Sequence, residues 1–208
     1  MTTRPVILIG GGGHAGVVYE TCLGAGIEVL GLLDDDAGCA LGASGLEHLG
    51  PIGTPIPDHA RYLVAIGDLD ARRRVIERLD TQQACDAVAH PSAVVSPTAT
   101  LGRGVVVLPG AVINRDARVG HHAIINTRSV VEHDCVVDGN AHLAPGSVLG
   151  GGVRVGAGTL VGIQAAALPG VRIGAGCVIG AGAVVTGDIG DHVRAAGVPA
   201  RVMGAPVG

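Results

Sequence analysis

The chain has 208 residues, 48% of them hydrophobic, but it contains no Phe or Trp and only two Tyr, so its cores must be built from aliphatic side chains. A formal net charge of −4 gives no electrostatic reason to expect a nucleic-acid partner. No apolar stretch approaches the length of a membrane span, and an odd number of cysteines is not typical of a disulfide framework, so we expect a cytoplasmic protein.

The first 90 residues follow the pattern of a small, Rossmann-like α/β domain with a parallel sheet. Compact apolar runs alternate with segments of helical spacing, which predicts strands and helices in turn. The predicted elements are a strand at Val6–Ile9, a helix at His14–Gly24, strands at Val29–Leu33 and Tyr62–Ile66, an Arg-rich helix from its N-cap Asp68 through Leu79, and a last strand containing Val88.

A glycine-rich loop joins the first predicted strand to the first helix. Residues 11–16 match G-x-G-x-x-G, and Asp34 follows at the distance typical of a ribose contact. NAD would need a second mononucleotide-binding half, for which the unit has no room. The interpretation therefore favours a nucleotide diphosphate group at the helix N-terminus.

A six-residue repeat begins at Val95 and continues without a polar interruption to Val185. This period is typical of β-helix solenoids, in which short parallel strands wrap around a dry core. We call the aliphatic residue that opens each six-residue repeat, Val95 and every sixth residue after it, the beat. Gly, Asn or Asp lies three residues after most beats, which predicts corners with positive φ. We expect a little over five coils in residues 91–190 and a capping tail in 191–208, with Cys135 and Cys177 facing inward.

The densest polar patch of the solenoid surrounds His133, which lies between Glu132 and Asp134. A neighbouring carboxylate can fix an imidazole and support its charge, so this pattern makes His133 a candidate general base. The position one coil later is Gly151, which leaves room above the ring and offers a backbone N–H as an oxyanion donor.

His142 follows His133 by half a coil, so the two rings of one chain point to different sides of the prism. They can share a site only if a neighbouring subunit supplies one of them. This spacing indicates an oligomer of parallel prisms, and three-fold symmetry suits a triangular cross-section.

The chain also resembles the left-handed β-helix sugar acetyltransferases, in particular the group of bacterial N-acetyltransferases for 4-amino sugar nucleotides and sialic acid O-acetyltransferase-like proteins. The resemblance covers nearly the whole chain. Its motifs are ILIGGGGHAGVVYE, LLDDD, AIGDLDARRR, INTRSVVEHDCVVDGNAHLAPG, GVRVGAGTLVGIQAAALPGVRIG and AAGVPARVMG.

This resemblance implies a homotrimer with acetyl-CoA as co-substrate in the groove between prisms, His133 as general base and Asp134 as its partner. Its implied acceptor is a nucleotide-linked amino sugar resembling UDP-4-amino-4,6-dideoxy-N-acetylglucosamine. Related enzymes can carry Asn at the position of Asp68, which leaves the recognised base and sugar open. The implied contacts to acetyl-CoA are Asn126, His142, Gly151, Ile163 and Gly180, and those to the nucleotide sugar are Gly12, Gly13, His14, Asp34, Asp35, Gly67, Asp68 and Arg72.

Three alternatives stay open at this point. The acceptor could be a sugar hydroxyl, for example of a sialic acid. The chain could instead be a zinc enzyme of the carbonic anhydrase type, with His121 or His122, His133 and His142 as ligands across subunits. It could also be a binding module without activity. The spacing of these histidines follows the pattern of the transferases rather than that of the zinc enzymes, which favours a site without metal.

Overall fold

The protein, described here over residues 4–203 by a computed structural model, begins with a small three-layer α/β domain. Its sheet is entirely parallel, in the order β3-β2-β1-β4. Alternate residues of β1 face two apolar clusters, one beneath α1 and one beneath α3. The elements are β1 Val6–Ile9, α1 Gly13–Gly24, β2 Val29–Leu33, α2 Ala40–Ala43, β3 His48–Gly50, β4 Arg61–Val64 and α3 Leu69–Ile76, followed by a 3₁₀ turn at Thr81–Gln83.

These elements confirm the predicted Rossmann-like domain and show where the prediction was incomplete. The edge strand β3 was missed because three residues are too short for a periodicity signal. Helix α3 ends at Ile76 rather than Leu79, and Asp68 is its N-cap, since the carboxylate accepts the Ala71 N–H at 2.8 Å.

The rest of the described chain is a left-handed parallel β-helix built from two-residue strands. Each strand pairs with the strand one coil later, as Val106 does with Ile124 and Ile124 with His142. The strands are β5 Val88–Ala89, β6 Val94–Val95, β7 Thr100–Leu101, β8 Val106–Val107, β9 Val112–Ile113, β10 Arg118–Val119, β11 Ile124–Ile125, β12 Val130–Val131, β13 Val136–Val137, β14 His142–Leu143, β15 Val148–Leu149, β16 Arg154–Val155, β17 Leu160–Val161, β18 Ala166–Ala167, β19 Arg172–Ile173, β20 Val178–Ile179, β21 Val184–Val185, β22 Arg194–Ala196 and β23 Arg201–Val202.

The solenoid begins earlier than predicted. Strand β5, which contains Val88, pairs with β8 of the first coil and not with the N-terminal sheet, so the prediction that it closes that sheet is wrong. Ala89 stands six residues before Val95 and is therefore on the inward beat. In the predicted tail, β22 continues the ladder against β20 and β23 folds back antiparallel to it, while residues 204–208 lie outside the described part.

The prism has three faces, which we name by what covers them. The docking face comprises β5, β8, β11, β14, β17, β20, β22 and β23, and its first coils pack against the N-terminal domain through Val106, Leu108 and Ile124. The apolar face comprises β6, β9, β12, β15, β18 and β21, and the arginine face β7, β10, β13, β16 and β19. Between the faces runs an aliphatic core that includes Cys135 and Cys177, as predicted.

The corners explain the spacing of glycine in the sequence. At every sixth residue from Gly104 to Gly182 the backbone has positive φ, even where His122, Arg128 or Gln164 stands there. Asp188, predicted to follow the same rule, does not. Its carboxylate instead accepts the Arg172 N–H at 2.8 Å, because the regular coils end at this point.

Within residues 4–203, no helix combines the length and the apolar character needed to cross a membrane.

Candidate active site

His133 and Asp134 form the turn between the apolar and arginine faces. Asp134 takes up the left-handed corner conformation at φ 62°, and its Oδ2 lies 2.8 Å from His133 Nδ1. The two side chains are 58% and 66% exposed, so a substrate can reach them. If Nδ1–H donates to the carboxylate, Nε2 is left free to accept a proton, which is the arrangement a general base requires.

Gly151 lies directly over the His133 ring in the next coil. A Cβ at this position would come within 2.6 Å of the ring atoms Cε1 and Nε2, so only glycine leaves the imidazole in place. The Gly151 N–H makes no hydrogen bond to any of residues 4–203, whereas its carbonyl accepts the Gly170 N–H at 2.9 Å. The free N–H of the residue that covers the His133 ring is suited to bind a developing oxyanion.

His142 occupies the docking face on β14, away from His133, as the half-coil spacing predicts. Its Nε2 lies 3.0 Å from Asn126 Nδ2, and Asn126 Oδ1 already accepts the Thr127 N–H at 2.7 Å. Asn126 therefore donates to Nε2, which leaves the His142 proton on Nδ1.

His14, from the glycine-rich loop, lies beside His142 with their ring centroids 6.3 Å apart. Burial lowers the pKa of both imidazoles to about 4, with the positive charge of Arg72 as the next cause for each. Both rings are therefore neutral at physiological pH. His14 Nε2 is buried and has no partner within residues 4–203.

The N-terminus of α1 is exposed to solvent. Gly12 is its N-cap without a side-chain bond, and a Cβ at either Gly12 or Gly13 would meet nothing within 4 Å. The N–H groups of Gly13 and His14 have no hydrogen-bond partner within residues 4–203, and the space beside this exposed helix N-terminus fits a diphosphate. This geometry is compatible with the predicted roles of Gly12, Gly13 and His14.

The acidic residues after β2 shape this loop. Asp34 accepts the Gly11 N–H at 2.6 Å through Oδ2 and the Asp36 N–H at 2.9 Å through Oδ1, so the carboxylate fastens the glycine-rich loop. Asp35 Oδ1 accepts the Ile52 N–H at 3.0 Å. A ribose contact by either residue would use the remaining lone pairs and stays a prediction.

Arg72 is placed differently from the prediction that it contacts substrate. The side chain is 0% exposed, and each guanidinium nitrogen donates to a protein oxygen, in the Ile66–Gly67 turn or in Asn140 and Ala141. Because no face of the group is open to solvent, a direct role in binding does not fit this geometry.

The remaining residues predicted to bind acetyl-CoA lie along one edge of the solenoid. Backbone bonds stack Asn126, Ala144, Gly162 and Gly180 in one column, each one coil above the last. Ile163, at the adjoining corner, is 54% exposed. The column borders the corner where the docking face meets the apolar face, and packing between coils requires glycine at Gly162 and Gly180, where a Cβ would lie within 2.8 Å of the next coil.

The two candidate sets thus lie at opposite edges of the apolar face. His133, Asp134 and Gly151 line one edge, and the Asn126 column with His142 lies beyond the other. The outward residues between them are aliphatic throughout: Val94, Val112, Val130, Val148, Ala166 and Val184. Sequence reasoning missed this face, although the signal is present as every eighteenth residue from Val94.

Two family models match the chain. Residues 5–79 match the PglD N-terminal domain, and residues 152–187 match the bacterial transferase hexapeptide of six repeats. A comparison with curated protein sequences found no match.

Solved structures resemble the whole chain. PerB from Caulobacter crescentus, in complex with CoA and GDP-perosamine, is 40% identical with a TM-score of 0.87 over 96% of this chain and 97% of that one. The acetyltransferase domain of PglB from Neisseria gonorrhoeae, in complex with acetyl coenzyme A, is 32% identical with a TM-score of 0.89 over 97% and 100%. WeeI from Acinetobacter baumannii, at 23% identity and a TM-score of 0.67, shares the fold.

Proposed function

Because the chain belongs to the left-handed β-helix family of acetyl-CoA-dependent N-acetyltransferases for nucleotide-linked amino sugars, we propose that it acetylates the 4-amino group of such a sugar at a site between subunits. The observation that carries the proposal is the exposed His133–Asp134 pair under the free N–H of Gly151. The relatives favour N-acetyl transfer over the hydroxyl-acceptor, zinc-enzyme and binding-module alternatives.

The chemistry is a direct acyl transfer. The sugar amine attacks the thioester carbonyl, a C–N bond forms, and the C–S bond breaks. His133 Nε2 takes the amine proton and returns it to the departing thiolate, while Asp134 stabilises the charged ring. The Gly151 N–H donates to the carbonyl oxygen as it becomes negative. A covalent enzyme intermediate is unnecessary because a neutral amine is already a nucleophile.

The acceptor and donor would bind to different parts of the chain. The diphosphate of the acceptor fits the N-terminus of α1, and Asp34, Asp35, Gly67 and Asp68 would contact the nucleoside and the sugar. The column from Asn126 to Gly180 runs along the solenoid axis, one residue per coil, which suits the extended pantetheine arm of CoA. Ile163 would provide an apolar contact to that arm.

A homotrimer would complete this site. The apolar face is the side that another copy would cover, since its six outward residues are Val or Ala and Val94 is 61% exposed. Packing around a three-fold axis would bring His133 of one prism towards the docking face of the next, where His142 and Asn126 lie.

The five free cysteines support a cytoplasmic location.

The experiment that tests the proposal measures CoA release and product mass with acetyl-CoA and a panel of acceptors. The panel contains GDP-perosamine, UDP-4-amino-4,6-dideoxy-N-acetylglucosamine, and the corresponding sugars with a hydroxyl at C4. We expect a mass increase of one acetyl group on an amino sugar only. Acetylation confined to hydroxyl sugars, or CoA release from none, would contradict the proposal.

A further inference from the structure

Arg72 joins the two halves of the candidate site through a buried hydrogen-bond network. Its Nη1 donates to the carbonyls of Ile66 and Gly67 at 3.1 and 3.2 Å, in the turn of the N-terminal domain. Its Nε donates to Asn140 Oδ1 at 2.7 Å, and Nη2 to the carbonyls of Asn140 and Ala141 at 3.1 and 3.5 Å. These last two residues immediately precede His142 on β14.

Asn140 closes the network from the solenoid side. Its Nδ2 donates to the Leu69 carbonyl at 3.3 Å, at the start of α3, while its backbone holds the corner conformation at φ 55°. Arg72 therefore donates to the Gly67 carbonyl on one side and to the Asn140 and Ala141 carbonyls on the other, which belong to different domains in the chain. Through this guanidinium, the turn that carries Gly67 and Asp68 is tied to the residues that precede His142.

The network is not the only contact between the two domains. Beneath α1, aliphatic residues of the N-terminal domain pack on Val106, Leu108 and Ile124 of the docking face, and this contact is independent of Arg72. An apolar contact of this kind can hold the interface but tolerates small shifts. A planar guanidinium with several fixed acceptors specifies one geometry, which lysine cannot reproduce.

We infer that Arg72 is a positioning residue, which fixes the nucleotide-sugar turn at Gly67–Asp68 against the His142 strand and so sets the distance between the amine and the thioester. This inference rests on the proposed function. A displacement of about 1 Å between reacting groups can cost roughly 100-fold in rate, so the network is suited to control turnover. Burial lowers the pKa of Arg72 to about 10, which leaves it charged at physiological pH.

The test compares Arg72→Met and Arg72→Lys with the control Arg74→Met, which removes an exposed arginine from the same helix. Steady-state kinetics are measured with the amino-sugar nucleotide that wild type acetylates, and CoA binding is measured by calorimetry. We expect kcat to fall by about 100-fold in Arg72→Met and less in Arg72→Lys. The Kd of CoA should change by less than about twofold, because the Asn126 column lies wholly in the solenoid.

Asn140→Gly serves as a milder second variant if Arg72→Met fails to fold. Glycine keeps the positive φ but removes both side-chain bonds, so we expect an intermediate loss of kcat. The inference is overturned if folded Arg72→Met, or Asn140→Gly in its place, turns over within about threefold of Arg74→Met.

A wild-type protein that acetylates no member of the panel would contradict the proposed function. The positioning claim is then decided by amide hydrogen exchange. Faster exchange at residues 66–72 and 140–143 in Arg72→Lys than in Arg74→Met would support it, and equal exchange would overturn it.

Discussion

The ring of His133 fills the space that a side chain on Gly151 would need, since a Cβ there would lie 2.6 Å from both Cε1 and Nε2. We therefore predict that Gly151→Ala displaces the imidazole and lowers kcat by about 100-fold or more. Gly187→Ala is the matched control, because it occupies the same corner two coils later and its Cβ would meet nothing within 4 Å. Similar kinetics for the two variants would show that the contact between Gly151 and His133 is irrelevant to turnover.

The short contact between His133 Nδ1 and Asp134 Oδ2 predicts that Asp134→Asn lowers kcat while KM for acetyl-CoA stays close to the wild-type value. Asparagine tolerates the positive φ at this corner, so the fold should be retained. The loss should be smaller than for removal of His133, because the carboxylate acts only through the ring. Circular dichroism checks the fold, and an unchanged kcat would rule out this role for Asp134.

Because His122 is buried as a neutral ring, we predict that the free energy of unfolding falls in acid. The ring is 3% exposed, stacks on Tyr62 at a centroid distance of 6.0 Å, and has no hydrogen-bond partner for either nitrogen within residues 4–203. Burial lowers its pKa to about 4, with His121 and Arg72 as further causes. The unfolded chain binds a proton near pH 6.5, so stability is full above that pH and is lost as the pH falls towards 4.

The size of this effect can be measured by denaturant unfolding at pH 7.5 and pH 5. A lowering from 6.5 to about 4 corresponds to about 3 kcal/mol per group when the loss is complete and to about 2 kcal/mol by pH 5, and part-buried His14 and His142 add to it. His122→Asn, which keeps a residue tolerant of the corner conformation, should reduce the pH dependence, and exposed His59→Asn serves as control. Equal pH dependence in all three proteins would contradict the assignment to His122.

We predict that a charged side chain on the apolar face prevents the subunits from associating. Val148 points outward from the middle of this face and is 40% exposed, so Val148→Asp should dissociate the proposed trimer and abolish acetyl transfer. Val136→Asp places the same charge at the equivalent outward position of the arginine face, where its strand lies between those of Arg118 and Arg154. Sedimentation velocity should find the control assembled. A Val148→Asp protein of wild-type mass and activity would exclude this interface.

Much of the architecture could be predicted from the sequence because it depends on short repeating rules. The inward beat at Val95 and its successors and the corner residues follow from local packing and φ alone. The strand at Val88 was misassigned because the six-residue beat there is carried by Ala89, whose small side chain gives little signal. Strand β3 was missed for lack of length.

The candidate site was only partly predictable for a physical reason. His133 and Gly151 are related by the coil repeat, so their contact follows from numbering. Arg72 and Asn140 meet across the domain boundary, and no repeat relates them, so an arginine on an Arg-rich helix could not be distinguished from its exposed neighbours. The stacking of Tyr62 on His122 could not be predicted for the same reason, since it also joins the two domains.

The central claim is that His133 is the base of an acetyl transfer to a sugar amine. The most direct measurement is the single-turnover rate of product formation by wild type and His133→Ala with acetyl-CoA and the preferred amino-sugar nucleotide, followed by mass spectrometry. A positioned base contributes roughly 10² to 10⁴-fold, so the variant should be slower by at least about 100-fold while still binding CoA. A rate within about tenfold of wild type would contradict the account.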